Sequence, residues 1–364
     1  MKYCLYYDIN SISTIYIYMQ LKLEFNRLGH QLDIYIPKSN QDNGTIKSNT
    51  FKKYYPLKNI NWGIPLPNEY DILLVINGVN LKLNNKDNRL LLTKKFKKVI
   101  YLKADSTREY WCLGAKKNYE IIPNIKHGIC TPLDLIYPDS NWLKKVPIFN
   151  LPFIENLTLK KNNRLSLLDF KLKYKIPENK KIILCAFTKF SKLIGIKSNS
   201  KYEPQIKWLY QNLTLINQIC NQNGYQLVAK LHKMEYLKKC SSPEKKYYKN
   251  IPIIDDFDSH EAVLYADYAF TCGSMIVLEF SLYDLQCLEF CIEKIFSFQK
   301  PNIDKIKDMI YGDYVNYKEI KDNTKEVIER FLDKNFKKPK EISYYQNCKN
   351  INLNDIVNKI IVNS

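Results

Sequence analysis

Glycine is scarce in this chain, with 10 in 364 residues, and arginine is scarcer still, with five (Arg27, Arg89, Arg108, Arg164 and Arg330) among 56 basic residues. No G-x-G-x-x-G and no G-x-x-x-x-G-K-[ST] occurs, which excludes an ordinary dehydrogenase and a P-loop NTPase. The ten cysteines form no C-x-x-C pair and no Cys/His set at zinc spacing, so a zinc module is excluded. Several lie in apolar runs such as Ile182-Ile183-Leu184-Cys185-Ala186-Phe187, as buried reduced thiols do. No apolar run approaches the ~18–20 residues of a membrane-crossing helix. The first run, Tyr3–Tyr7, is cut by Asp8 and Asn10 with no small-residue cleavage site after it. A cytoplasmic location is the expectation.

What is present is a large, basic, globular composition. Hydrophobic residues make up 45% and charged residues 26%, which excludes a disordered or fibrous chain. The length exceeds the ~250–300 residues at which single cores stop growing, so two domains are expected. The formal charge is +19, and it rests on lysines spread along the chain. Arginine, the usual reader of base edges and phosphates, is nearly missing, so nucleic acid is not the expected partner. Anionic small substrates, or an anionic membrane surface at the periphery, suit such a charge better.

The order of elements reads as βα units. Strands are expected at Lys2–Ile9, Leu32–Ile36, Asp71–Ile76, Val99–Leu102 and Leu133–Tyr137. Helices are expected at Ile15–Leu28, closed by Gly29, and at Leu90–Lys98; residues 38–69 read as loop. Pro147–Lys161 is an irregular linker. A second series then starts with helix Leu165–Tyr174, strand Lys181–Phe187, helix Pro204–Gly224, and strands Tyr225–Leu231 and Ile251–Ile254. Asp258 opens a further helix, with Glu261 at capping-box spacing. Strand Tyr268–Thr271, helix Met275–Leu282, strand Leu285–Phe290 and a mixed, mainly helical end follow. Continuous apolar strands alternating with helices imply parallel sheets covered on both faces. The fold class is therefore α/β, with two doubly wound Rossmann-like domains. The expected boundaries are 1–160, 161–345, and a C-terminal helix in 346–364 that returns to the first domain.

Ligands of such sheets lie at the carboxyl ends of strands. The sharpest signal there is Thr271-Cys272-Gly273-Ser274-Met275-Ile276-Val277-Leu278-Glu279, a strand that ends in Gly-Ser before a helix carrying an acid. Gly273 permits close approach of backbone to a ligand, the Ser274 hydroxyl suits a phosphate, and Glu279 suits ribose hydroxyls. The plainer reading is that Ser274 caps the helix and Glu279 is solvated. Lys189 and Lys192, just after a strand, are candidate phosphate ligands or a solvated face. Lys230 and His232 end another strand where a diphosphate would lie. His30 and His260 read as packing or solvated residues. Asp255-Asp256-Phe257-Asp258 imitates a metal-binding D-x-D, although Asp258 is also the helix cap.

Residues 176–290 resemble the nucleotide-binding half of GT-B glycosyltransferases. They are most similar to the branch containing CDP-glycerol glycerophosphotransferases and other surface-carbohydrate enzymes. The resemblance rests on Lys230-Leu231-His232, on Leu264-Tyr265-Ala266-Asp267 running into the Ser274 turn and Glu279, and on Lys181–Phe187 with Thr188-Lys189. UDP-sugar 2-epimerases share this fold and a similar Ser/Glu turn. The resemblance implies two domains facing across a cleft, with a hydroxyl acceptor on the first and a nucleotide-activated sugar on the second. It also implies no cofactor and no catalytic metal. The branch's His-Gly-Thr-Pro signature is not intact: His127-Gly128 is separated by two residues from Thr131-Pro132. Asp105, after strand Val99–Leu102, and His127 are therefore rival bases.

Overall fold

The computed structural model describes residues 1–6, 21–36, 60–63, 65–76, 95–102, 125–129, 165–187, 201–231, 247–254, 262–273, 276–291, 310–339, 353–362 and 364. The chain divides into two compact units. One is Met1–Asn156 with Asn347–Ser364, and the other is Leu157–Gln346.

The first unit is built on strands β1 (Lys2–Tyr6), β2 (Gln31–Ile36), β3 (Ile60–Trp62), β4 (Ile72–Ile76), β5 (Val99–Leu102) and β6 (Ile125–Ile129). All pair in parallel, in the order β3-β2-β1-β4-β5-β6. The central strands are buried runs, Tyr3–Tyr6 in β1 and Ile72–Leu74 in β4, as a sheet covered on both faces requires. A helical segment over 21–27 precedes β2. It buries Leu21 and Phe25, one turn apart, and Phe25 packs on Tyr3 at 4.7 Å between ring centroids. It ends at Gly29, whose φ of +76° is the left-handed conformation glycine supplies at a helix end. The C-terminal helix Leu353–Val362 belongs to this unit and buries Val357 and Ile360. Arg27 Nη2 donates to Asn354 Oδ1 at 3.0 Å, and Lys98 Nζ donates to the Ser364 carbonyl.

The second unit repeats this plan. Strands β7 (Lys181–Phe187), β8 (Tyr225–Lys230), β9 (Ile253–Ile254), β10 (Tyr268–Cys272), β11 (Gln286–Glu289) and β12 (Gly312–Tyr314) lie in the order β12-β11-β10-β7-β8-β9. Every described pairing is again parallel. Numbered from its own first strand, each sheet reads 3-2-1-4-5-6, the dinucleotide-fold order. One core cluster joins Phe187 and Phe270 from the sheet, and Phe290 just past β11, to Tyr210, Ile216 and Phe331 from the helices. Helix Leu167–Lys173 starts at Ser166, whose Oγ accepts from Asp169 N at 3.0 Å.

Four features depart from the expectations. The helix expected over Pro204–Gly224 is two, Glu203–Gln211 and Leu213–Gln222. They separate at Asn212, whose φ of −103° and ψ of 8° leave the helical region. Residues 38–69, read as loop, contain β3, and the helical C-terminal region contains β12. His127-Gly128 lies inside strand β6, whereas the strand expected at Leu133–Tyr137 lies outside the described residues. The expected helices at Leu90–Lys98 and from Asp258 fall largely outside them as well.

Candidate functional site

In the second sheet the chain winds outward in both directions from the neighbouring strands β7 and β10, so the topological switch lies between them. The two end together: Cys272 pairs with Phe187, and Gly273 follows with φ +58°. That left-handed conformation favours glycine over any residue with a Cβ. The Gly-Ser turn read from the sequence thus leaves the sheet at the switch point. Ser274 itself lies outside the described residues, as do Lys189, Lys192 and His232. Glu279 lies on helix Ile276–Leu282, and its side chain is not among those described. Lys230 is the last residue of β8, half-buried and paired with Ile254.

The turn is held by a residue the sequence reading missed. Glu289, the last residue of β11, is fully buried. Its Oε1 accepts from the backbone N–H groups of Gly273 at 2.6 Å and of Cys291 at 2.8 Å. Glu289 pairs with Thr271 in β10, and the Thr271 hydroxyl is buried beside it with no hydrogen-bond partner among the described residues. Burial, followed by the Glu289 charge, pushes the Cys287 thiol well above its ordinary value. A detectable signal was present: a lone acid between Leu288 and Phe290, where carboxylates are almost never buried without partners.

The opposite end of the sheet explains another motif residue. Asp267 precedes β10 and sits at the amino edge, where its Oδ2 accepts from Ile182 N and its own N–H donates to Ile182 O, both at 2.9 Å. The first unit has the same clip. Asp71 Oδ2 accepts from Lys2 N at 2.8 Å, and Asp71 N donates to Lys2 O at 2.9 Å. Both aspartates tie together the two central strands of their sheet, so Asp267 secures the strands and does not face a ligand at the carboxyl edge.

In the first unit the switch lies between β1 and β4. Asp105 lies outside the described residues, past the end of β5, the strand next to β4. His127 is on the edge strand β6, its backbone paired with Ile100 after a bulge. His30 packs edge-on against Tyr3 at 5.9 Å, and His260 lies outside the described residues. Among the described residues no three His, Cys, Asp or Glu side chains gather as a metal site requires. No described helix is long and apolar enough to cross a membrane. Asp255, Asp256 and Asp258 lie outside the described residues.

No family model and no curated protein matches the chain in sequence. Solved structures do match in shape. The UDP-GlcNAc 2-epimerase of Methanocaldococcus jannaschii superposes with a TM-score of 0.56 at 13% identity, over all of both chains. The UDP-GlcNAc 2-epimerase of Neisseria meningitidis, in a structure bound to UDP-GlcNAc, gives 0.52 at 14% identity, over 100% of this chain and 98% of that one. The wall teichoic acid polymerase TagF gives 0.52 at 13% identity, over 99% of this chain and 89% of that one. At such identities the likeness is one of fold: two doubly wound Rossmann-like units, the GT-B fold that the resemblance of residues 176–290 implies.

Proposed function

We propose that the chain is a GT-B glycosyltransferase that moves a sugar from a nucleotide-activated donor to the hydroxyl of a glycan or similar acceptor. The observation that carries this reading is the Gly273 turn at the switch point of the second sheet, where doubly wound folds bind nucleotides. The second unit holds the donor, with Ser274, Lys189, Lys192, Lys230 and His232 around the diphosphate and Glu279 on the ribose. The first unit supplies the acceptor and its base. Asp105 is the first choice, since it follows the strand beside the switch, while His127 is on the edge strand.

In the reaction the base removes the acceptor hydroxyl proton, the acceptor oxygen bonds to the anomeric carbon, and the bond from that carbon to the diphosphate oxygen breaks. Proton removal by a positioned base contributes about 10²–10⁴-fold. The lysines and Ser274 stabilise the negative charge on the departing diphosphate. This scheme calls for neither cofactor nor metal, and a surface of charge +19 draws anionic donors toward it.

A thermal-shift panel of UDP, GDP, CDP, their sugars and CDP-glycerol tests the reading. A ligand at 100 times its Kd stabilises by about 2.7 kcal/mol, so one nucleotide class raises the midpoint. No shift with any of them sinks the proposal. Ser274→Ala and Glu279→Ala are expected to weaken the responding nucleotide by about tenfold or more, since a hydrogen bond to a charged group contributes about 1.5–3 kcal/mol. The likeness to two epimerases over the full chain supports a second reading. Conversion of UDP-GlcNAc with no acceptor present would replace transfer with epimerisation. A response to CDP-glycerol alone would point to glycerophosphate transfer.

A further inference from the structure

We propose that Glu289 is the positioning residue of the donor site, fixing the Gly273 turn in the form that receives the nucleotide. The inference rests on the transferase reading of that site. Glu289 is fully buried at the carboxyl end of β11, and one of its oxygens accepts from both Gly273 N and Cys291 N. Those two amides open the segments leaving β10 and β11, so a single carboxylate oxygen ties two neighbouring segments at the ligand edge of the sheet. Cys291 is anchored in turn, its Sγ lying 2.6 Å from Gln205 Oε1.

Stability alone is a weak explanation for an acid in this place. Taking a carboxylate out of water is costly, and an apolar side chain between Leu288 and Phe290 would avoid that cost. What the carboxylate supplies is definition. Glycine is the residue with the widest choice of backbone conformations, and a charge-assisted hydrogen bond to its amide selects one. Ser274 is the next residue in the sequence. The Gly273 amide is also committed to Glu289, so it is not among the donors offered to a phosphate. Asp71 and Asp267 form the contrasting case, since their clips lie at the amino edges and join strand to strand.

UDP binding is measured by calorimetry for the unaltered chain, Glu289→Gln and Glu289→Ala, with GDP and CDP run alongside. Amide exchange at Gly273 and Cys291 is followed in each without ligand. Glu289→Ala is expected to speed both amides and to weaken binding about tenfold or more; Glu289→Gln, which keeps a neutral acceptor, is expected to weaken it about three- to tenfold. If Glu289→Ala does not fold, Glu289→Gln decides by the same readings. Faster exchange with unchanged nucleotide affinity makes the contact merely structural and overturns this inference alone. Unchanged exchange overturns it too, because the turn is then not held by Glu289. Failure of UDP, GDP and CDP to bind the unaltered chain overturns the transferase reading, and this inference with it.

Discussion

Asp105 and His127 divide the question of the base at the scale of single residues. An Asp105→Asn chain keeps the shape of the side chain and loses the proton acceptor. Its turnover is expected to fall about 10²–10⁴-fold with nucleotide affinity retained, and His127→Ala is expected to lose less. Turnover assays on both variants decide it, and a larger loss in His127→Ala moves the base to the edge strand. The Gly273 turn was legible because Gly273-Ser274 interrupts an apolar run just before a helical one. Glu289 was not, because Leu285–Phe290 reads as one buried strand and its single acid looks like an interruption of the pattern. Only the fold brings residue 289 to the amide of residue 273, sixteen positions away. Asp267 was singled out for its place in a motif, yet its chemistry is that of a strand clip, which spacing along the chain cannot reveal.

Elements that bury two faces announce themselves, and the edge strands β3 and β12 do not, although the edge strand β9 was read within Ile251–Ile254. Strands β1, β4, β7, β8 and β10 were legible as apolar runs because they lie at or next to the centre of a parallel sheet. β3 is three residues with Asn61 in the middle, and β12 is Gly312-Asp313-Tyr314, with little apolar signal. β12 exists because pairing makes it: Cys287 N donates to Tyr311 O at 2.8 Å and Val315 N to Glu289 O at 2.9 Å. Its close approach depends on Gly312, with φ +147°, where a Cβ would overlap the Cys287 carbonyl oxygen. Gly312→Ala is therefore expected to destabilise the second unit by about 1–3 kcal/mol, read as a lower urea midpoint. An unchanged midpoint would mean that β12 pairs without this contact. Asp267→Ala removes a charged acceptor from the Ile182 amide, and about 1.5–3 kcal/mol of stability should go with it. Asp267→Asn keeps an acceptor there and should lose less.

At the scale of the whole molecule, two sheets of one topology each carry an aspartate clip and a core that encloses thiols. Cys4 lies in the first unit, and Cys220 and Cys287 lie in the second, all buried and outside any disulfide. Burial pushes each thiol up, Cys220 to about 12, while Asp33 adds to the rise at Cys4 and Glu289 to that at Cys287. Below the ordinary thiol value of about 8.5, folded and unfolded chains hold the same thiol protons and the contribution to stability is complete. Above it the unfolded chain releases them first, so the folded state binds more protons and loses stability as pH rises. For Cys220 this continues until pH reaches about 12. Each such thiol contributes a slope of about 1.4 kcal/mol per pH unit. Stability measured by urea unfolding under reductant is thus expected to be level in thiol terms near pH 7.5 and to fall between pH 9 and 10.5. Cys220→Ala shifts the whole curve through altered packing, but its alkaline slope should be shallower by about one thiol's share. An identical slope in the variant would show that Cys220 ionises in the folded chain as readily as in the unfolded one, and that the core of the second unit admits water to it.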